Sequence, residues 1–157
     1  MANPTGLYGF RPYKRLGTAV MATITRKAKD NTTIGKGDTV ALDSTGYVAR
    51  VAATGQVLGI AAHGVTGASG VTPDILIYPA DESTILVGRA AGTTAITQGV
   101  LDGTAYRVTG SAGEMGIDLA ASTDGVMQVL GIKPGSELST NAELLVTIKT
   151  SQLTGRT

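Results

Sequence analysis

The chain has 157 residues, of which 13 are Lys or Arg and 12 are Asp or Glu, and its formal net charge is +1. It contains no cysteine, which excludes disulfides and thiolate metal sites. With 42% apolar residues it is too hydrophobic for wholesale disorder, and its apolar runs are much shorter than the roughly 20 residues of a membrane helix.

The first part of the chain is basic and aromatic. Residues 1–29 hold six basic residues and no acidic one, whereas residues 30–157 hold seven basic and twelve acidic residues, a net charge of −5. Three of the six aromatic residues lie within the first thirteen positions. Asn3-Pro4, Gly6, Gly9 and Pro12 disfavour a regular helix or strand, so we expect an extended N-terminal arm over residues 1–17.

Exposed aromatic rings need a surface to cover them. The arm could fold back on its own domain, or it could lie on another subunit. Aromatic and arginine side chains are enriched in interface anchors, which favours the second alternative. The candidate binding residues are Tyr8, Phe10, Arg11, Tyr13, Lys14 and Arg15. Because the opening residues lack the apolar block of a secretory signal, we expect the chain to stay in the compartment where it is made.

From residue 18 onward, short stretches rich in Val, Ile and Thr alternate with turn residues. Nine of them have strand length: residues 19–25, 39–42, 47–51, 57–61, 74–78, 84–87, 106–108, 126–132 and 144–149. Such spacing predicts an all-β fold, a compact β-sandwich or β-barrel. At most one or two short helices are expected, within residues 114–122 or 136–144. Residues 43–46 predict a turn in which Asp43 bonds to its own backbone and Gly46 supplies a positive φ.

A five-residue match indicates an internal repeat. Residues 56–60 (QVLGI) recur as residues 128–132, and the region from Ile34 to Tyr47 resembles the region from Ile96 to Tyr106. The match predicts two similar β-units at about 33–78 and 95–150 within one β-rich domain, residues 18–157. A glycine inside each matching strand predicts a bulge or a close approach of backbones.

No residue pattern predicts catalysis. His63 is the single histidine and is flanked by alanines, without a nearby nucleophile or carboxylate. One histidine and no cysteine leave only oxygen ligands for a metal, and the acidic pair Asp81-Glu82 reads as a turn. The glycine-rich residues 64–70 and 110–116 lack the Lys-Ser/Thr of a phosphate-binding loop and are expected to be loops at sheet ends. We predict no enzymatic activity, no metal and no cofactor.

Several segments resemble known virion proteins. Residues 1–4 (MANP) and 8–12 (YGFRP) are similar to the start of small virion proteins of tailed bacteriophages. Residues 34–40, 46–48 and 57–60, with the ending at 129–132, 141–146 and 152–153, resemble capsid decoration (cement) proteins of these phages. That resemblance implies a compact, β-tulip-like fold on the outer capsid surface, frequently a trimer, with an N-terminal arm bound to the major capsid protein.

The expected function is therefore capsid decoration, in which the arm binds neighbouring major capsid protein subunits and stabilises the shell. The expected location is the virion, after synthesis in the host bacterial cytoplasm, with a homo-oligomer, favoured as a trimer, and no membrane partner. One alternative is another virion structural protein, such as a tail or head-fibre subunit. Another is a nucleic-acid-binding protein, which the acidic body disfavours because it would repel a polyphosphate.

Overall fold

The computed structural model describes residues 8–17, 21–51, 55–92 and 95–153. These residues form an all-β fold, as predicted. The strands are β1 (Arg11–Arg15), β2 (Ile24–Lys27), β3 (Thr33–Ile34), β4 (Thr39–Leu42), β5 (Val48–Arg50), β6 (Gly59–Ala61), β7 (Val65–Thr66), β8 (Asp74–Pro79), β9 (Thr84–Arg89), β10 (Ala105–Thr109), β11 (Gly116–Asp118), β12 (Met127–Ile132) and β13 (Glu143–Ile148). One 3-10 helix spans Gln98–Leu101.

Two antiparallel sheets carry the fold. Sheet I has five strands in the order β2-β8-β6-β4-β5, and sheet II has six in the order β1-β9-β13-β12-β10-β11. A short pair, β3 and β7, completes the described strands. The single 3-10 helix agrees with the expectation of at most one or two short helices, but its location differs: β11 lies within residues 114–122, and residues 136–142 form turns and bends before β13.

The two sheets follow one plan. Without β1, sheet II has the order β9-β13-β12-β10-β11, in which each strand takes the place of its counterpart in β2-β8-β6-β4-β5. The first strand of each set ends in an isolated parallel bridge to the last one, Ala28 to Val48 and Ala90 to Ile117. The repeated sequence QVLGI falls on or beside β6 and β12, which are counterparts.

The register of the first two strands also repeats. Lys27 faces Asp74 across β2 and β8, and Arg89 faces Glu143 across β9 and β13. The next three residue pairs follow in the same order in both sheets. The correspondence of Tyr47 with Tyr106 suggested by the sequence is wrong, because residue 47 precedes β5 whereas residue 106 lies in β10, the counterpart of β4.

The glycine in each repeated stretch has one of the two expected roles. A Cβ on Gly59 would lie 2.1 Å from the carbonyl oxygen of Tyr78, so the backbones of β6 and β8 approach closely there. A Cβ on Gly131 would meet no other residue of the described chain within 4 Å, and the register of β12 shifts between Val129 and this glycine. The first glycine therefore permits a close approach, and the second accompanies a bulge.

The larger hydrophobic core contains residues of both sheets, including Ile60 of sheet I and Leu86, Val129 and Val146 of sheet II. A smaller core lies on the opposite face of sheet I, where β4 contributes Val40. Burial of apolar residues from both sheets in the larger core joins them, as in a β-sandwich.

The buried carboxylate of Asp38 also connects the turn before β4 of sheet I with the loop between β10 and β11 of sheet II. Asp38 accepts hydrogen bonds from the backbone N–H of Gly35 in its own turn and of Gly113 in the β10–β11 loop, each at 2.8 Å. Burial raises the pKa of Asp38, although both hydrogen bonds act in the opposite direction. A Cβ on Gly35 would lie 2.0 Å from the nitrogen of Gly113, so only glycine fits between the two loops.

The ends of the described chain cross between the sheets. Strand β1, near the N-terminus, pairs with β9 of sheet II. After β13, Ser151 forms a parallel bridge with Val57 beside β6. The side-chain amide of Gln152 then accepts a hydrogen bond from the Leu42 N–H at 2.7 Å and donates one to its carbonyl oxygen at 3.0 Å. Strand β1 therefore belongs to sheet II, whose other strands come from residues 84–148, whereas residues 151 and 152 contact sheet I, which residues 24–79 form.

The turn predicted at residues 43–46 is confirmed. The Asp43 carboxylate accepts hydrogen bonds from the backbone N–H groups of Thr45 at 2.8 Å and Tyr47 at 3.1 Å, and Gly46 has a φ of 84°. Hydrogen bonds from the Thr45 hydroxyl and from Lys29 lower the pKa of Asp43 well below its usual range. This turn fixes Tyr47 at the start of β5.

Candidate interaction surface

Phe10 is anchored inside its own molecule. Its side chain is 1% exposed and belongs to the larger core. A Cβ on Gly88 of β9 would lie 2.4 Å from the Phe10 ring, so the missing side chain at position 88 provides the space that the ring fills. The Phe10 N–H also donates to the carbonyl oxygen of Gly37 at 2.7 Å. The expectation that Phe10 fills a pocket on a neighbouring subunit is therefore wrong, because the ring already fills one in this chain.

The arm expected over residues 1–17 is also corrected over its described part, residues 8–17. Residues 11–15 form β1, an edge strand of sheet II, in spite of Pro12. The register shifts between Pro12 and Lys14, so Tyr13 lies at a bulge. Edge strands tolerate a proline and a bulge because only one side of the strand pairs with a neighbour. Residues 1–7 lie outside the described residues.

A charged cluster around Glu143 holds the beginning of this segment. The Glu143 carboxylate accepts hydrogen bonds from the Tyr8 hydroxyl and the Lys133 ammonium, each at 2.5 Å, and from Arg11 at 2.9 Å. The guanidinium groups of Arg11 and Arg89 lie over the Tyr8 ring, 4.1 and 4.5 Å from its centroid. Three cations and one carboxylate leave this cluster with a net positive charge.

The pKa values in this cluster follow from its contacts. Burial opposes ionisation of Glu143, but hydrogen bonds from Lys133 and Tyr8 and the charges of Lys133 and Arg11 outweigh it and lower the pKa. Burial raises the pKa of Tyr8, and its hydrogen bond to Glu143 adds to this effect. Tyr8 therefore keeps its proton and donates it to an ionised carboxylate at neutral pH.

The remaining predicted binding residues differ in what they offer to a partner. Arg15 pairs with Asp81 at 3.4 Å, as Arg11 does with Glu143, so both arginines already have acidic partners in their own chain. Tyr13 is 47% exposed, and Lys14 is exposed without an ion pair to any described residue. Leu16, just after β1, is 56% exposed. We call Arg11, Tyr13, Lys14 and Leu16 the β1 surface.

His63 has a structural environment. Its Nε2 accepts a hydrogen bond from the Leu76 N–H at 3.2 Å, and its Nδ1 lies 3.1 Å from the carbonyl oxygen of Gly64. These contacts suit a neutral ring with the proton on Nδ1, which connects the end of β6 to β8. Within residues 8–17, 21–51, 55–92 and 95–153, no group of three or more acidic or histidine side chains is placed to hold a metal ion.

Two residues that contact Tyr8, Glu143 and Arg89, were not among the predicted site residues. Glu143 lies 135 positions from Tyr8, and Arg89 ends a strand whose partner in the sheet cannot be read from the local pattern. A usable signal was the glycine at position 88, since an interior glycine in a strand indicates close packing against another group.

No protein-family model matches this chain, and neither the curated proteins nor the solved structures include a significant match. Among the described residues, no helix has the length and the apolar character needed to span a membrane.

Proposed function

We propose that the protein is a capsid decoration protein that binds the major capsid protein of a tailed bacteriophage through the β1 surface. The observation that carries the proposal is the exposure of Tyr13 and Lys14 of β1, and of Leu16 just after it, in a segment that Phe10 and Glu143 hold in place. The backbone of Tyr13 and Lys14 is already held in β1, so no further backbone ordering is needed when a partner covers these side chains. The resemblance of the sequence to cement proteins supplies the identity of the partner.

The contact is expected to use side chains rather than strand addition. Pro12 lacks an N–H group, the bulge at Tyr13 distorts the edge, and Lys14 carries an exposed charge. These three features protect an edge strand against pairing with another strand. An acidic, partly apolar surface on the capsid would complement Lys14, Tyr13 and Leu16.

Many equivalent contacts would then stabilise the shell. A decoration protein placed at symmetry-related positions bridges neighbouring capsid subunits, and a trimer would bind through three copies of the β1 surface at once. Because the second and third contacts form within one complex, a modest affinity for each copy gives a slow release of the whole trimer. Shell stabilisation therefore follows from repeated weak contacts.

The test compares binding to undecorated capsids. Tyr13→Ala combined with Lys14→Gln should weaken binding by about 2 kcal/mol, roughly 30-fold, if these residues are central anchors. Arg107→Gln is the matched control, because it removes the same charge from β10, four strands away in sheet II. Equal occupancy of the capsids by the double variant and the unmodified protein would refute the role of the β1 surface.

The same assay separates two alternatives. Binding to nucleic acid would weaken linearly with the logarithm of salt concentration, with a steep slope, whereas one exposed lysine beside an aromatic anchor gives a shallow slope. Since Arg11 and Arg15 already pair with Glu143 and Asp81 of their own chain, a steep slope is not expected. Binding to tails but not to heads would identify another class of virion protein.

A further inference from the structure

The repeat places two strand edges in equivalent positions with different neighbours. In sheet II, the outer edge of β9 is covered by β1. In sheet I, the counterpart of β9 is β2, and no described strand forms a ladder with the outer edge of β2; the parallel bridge of Ala28 to Val48 of β5 lies just beyond its end. Residues 25–27 of β2 are all exposed. Strand β1 covers residues 84–87 of sheet II, and their counterparts, residues 22–25, have no strand from the described part of the chain on their outer side.

The backbone of β2 presents hydrogen-bonding groups to this open side. Ala28 donates its N–H toward the β8 side, to the carbonyl oxygen of Pro73, whereas Lys29 donates to Val48 on the opposite side. Because successive residues of a strand point their N–H groups to alternate sides, Thr25 and Lys27 point away from β8. The counterpart of Thr25 in sheet II is Val87, the residue that faces Arg11 of β1.

A cleft lies along this edge. It has a volume of about 370 Å³ and lies between residues 25–27 of β2 and residues 45–47 of the turn before β5, with Asp74 at one end. Tyr47 is 37% exposed beside it. In sheet II, the Phe10 ring packs on Gly88 of β9, and Tyr8, Phe10 and Arg11 line a groove with Gly113 and Glu114 of the loop before β11. The cleft in sheet I therefore lies where a strand added to the edge of β2 would run.

The residue of β2 that corresponds to Gly88 of β9 determines which side chain of an added strand can bind there. Gly88 makes room for the Phe10 ring in sheet II, and its counterpart in sheet I is Arg26. Arg26 is exposed, lines the cleft and makes no ion pair to any described residue, whereas its neighbour Lys27 pairs with Asp74 at 2.8 Å. A guanidinium in such a position favours a carboxylate, to which it can donate two hydrogen bonds.

We propose that the outer edge of β2 is a strand-binding site for an extended, acidic segment of another protein. The segment pairs with the backbone of Thr25 and Lys27 and places an Asp or Glu side chain on Arg26. A second copy of this chain is a poor occupant, because its β1 would bring Arg11, Lys14 and Arg15 next to two cations of β2. The proposal does not depend on capsid decoration.

The experiment measures amide hydrogen exchange of Thr25 and Lys27 by NMR in the full-length protein. Two capped peptides serve as probes, one with the sequence TVEVEVT and the other with TVKVKVT. The first should slow exchange at both amides by about tenfold or more as it saturates, since both protons enter hydrogen bonds, and the second should not. Protection by neither peptide, or equal protection by both, overturns the proposal.

Variants separate pairing from general adhesion. Thr25→Pro removes the outward N–H but leaves the β8 side of the strand intact, so the acidic peptide should no longer protect Lys27, whereas the control Thr25→Ala should bind normally. Arg26→Glu should reverse the preference to the lysine peptide, which tests the charge rule even if the proline variant does not fold. Protection that rises with protein concentration without peptide would identify a second copy as the occupant and overturn the proposal.

Discussion

Replacement of Phe10 by alanine should destabilise the whole protein and not only its binding to a partner. The ring is 1% exposed and packs on Gly88, so Phe10→Ala leaves a cavity in the larger core. Loss of a buried phenylalanine costs about 3–5 kcal/mol. For a chain of 157 residues this corresponds to a decrease in Tm of roughly 6–20 °C. Urea and thermal unfolding, followed by circular dichroism, measure both quantities.

A double-mutant cycle tests the contact itself. Gly88→Ala alone should cost about 1–3 kcal/mol, because its Cβ would lie 2.4 Å from the Phe10 ring. In the Phe10→Ala background the same change should cost much less, since the ring is no longer there. Tyr13→Ala, at an exposed position of the same segment, should stay within about 0.5 kcal/mol of the unmodified protein. An equal cost of Gly88→Ala in both backgrounds would refute the packing of Phe10 on β9.

Three further changes test other contacts of the fold. Gln152→Ala removes both hydrogen bonds to Leu42, which we call the Gln152 clamp, and should lower the free energy of unfolding by about 1–3 kcal/mol in urea titrations. An unchanged midpoint of unfolding would contradict a stabilising role of this clamp. Asp38→Asn offers one acceptor oxygen where two backbone N–H groups need one each, and it should cost about 1–3 kcal/mol at neutral pH. Glu143 has a pKa below its usual value of 4.5, so its stabilisation is complete above that pH and is lost as the pH falls through the lowered pKa. The difference in stability between the unmodified protein and Glu143→Gln should therefore be constant near neutral pH and shrink in acid, and a difference that grows in acid would contradict the ion pairs.

The strands with a clear apolar pattern could be predicted from the sequence. Residues 39–42 coincide with β4, and β5, β6, β8, β9, β10, β12 and β13 overlap their predictions, because Val, Ile and Thr favour a pleated, half-buried surface. The prediction for residues 19–25 overlaps β2 at 24–25, whereas residues 19–20 lie outside the described residues. Strands β3 and β7 have two residues each and β11 has three, too few to show alternation.

The N-terminal segment could not be predicted correctly from local signals. Pro12 and the glycines disfavour a strand, but β1 forms because β9 offers a free edge and Gly88 offers space for Phe10. Both causes lie about 70 positions or more away in the sequence. The aromatic and basic composition correctly drew attention to this segment, but composition cannot distinguish a ring buried in its own core from one that waits for a partner.

The crossed chain ends make each half dependent on the other. Sheet II receives its edge strand from the beginning of the chain, and sheet I receives the Gln152 clamp from near its end. During synthesis, β1 therefore leaves the ribosome before β9, the strand with which it pairs, has been made. Sheet I likewise lacks its two hydrogen bonds with Gln152 until that residue emerges. Cleavage of the chain between Pro79 and Thr84 would give two fragments, each of which carries a piece of the other's sheet and would have to reassociate to become complete.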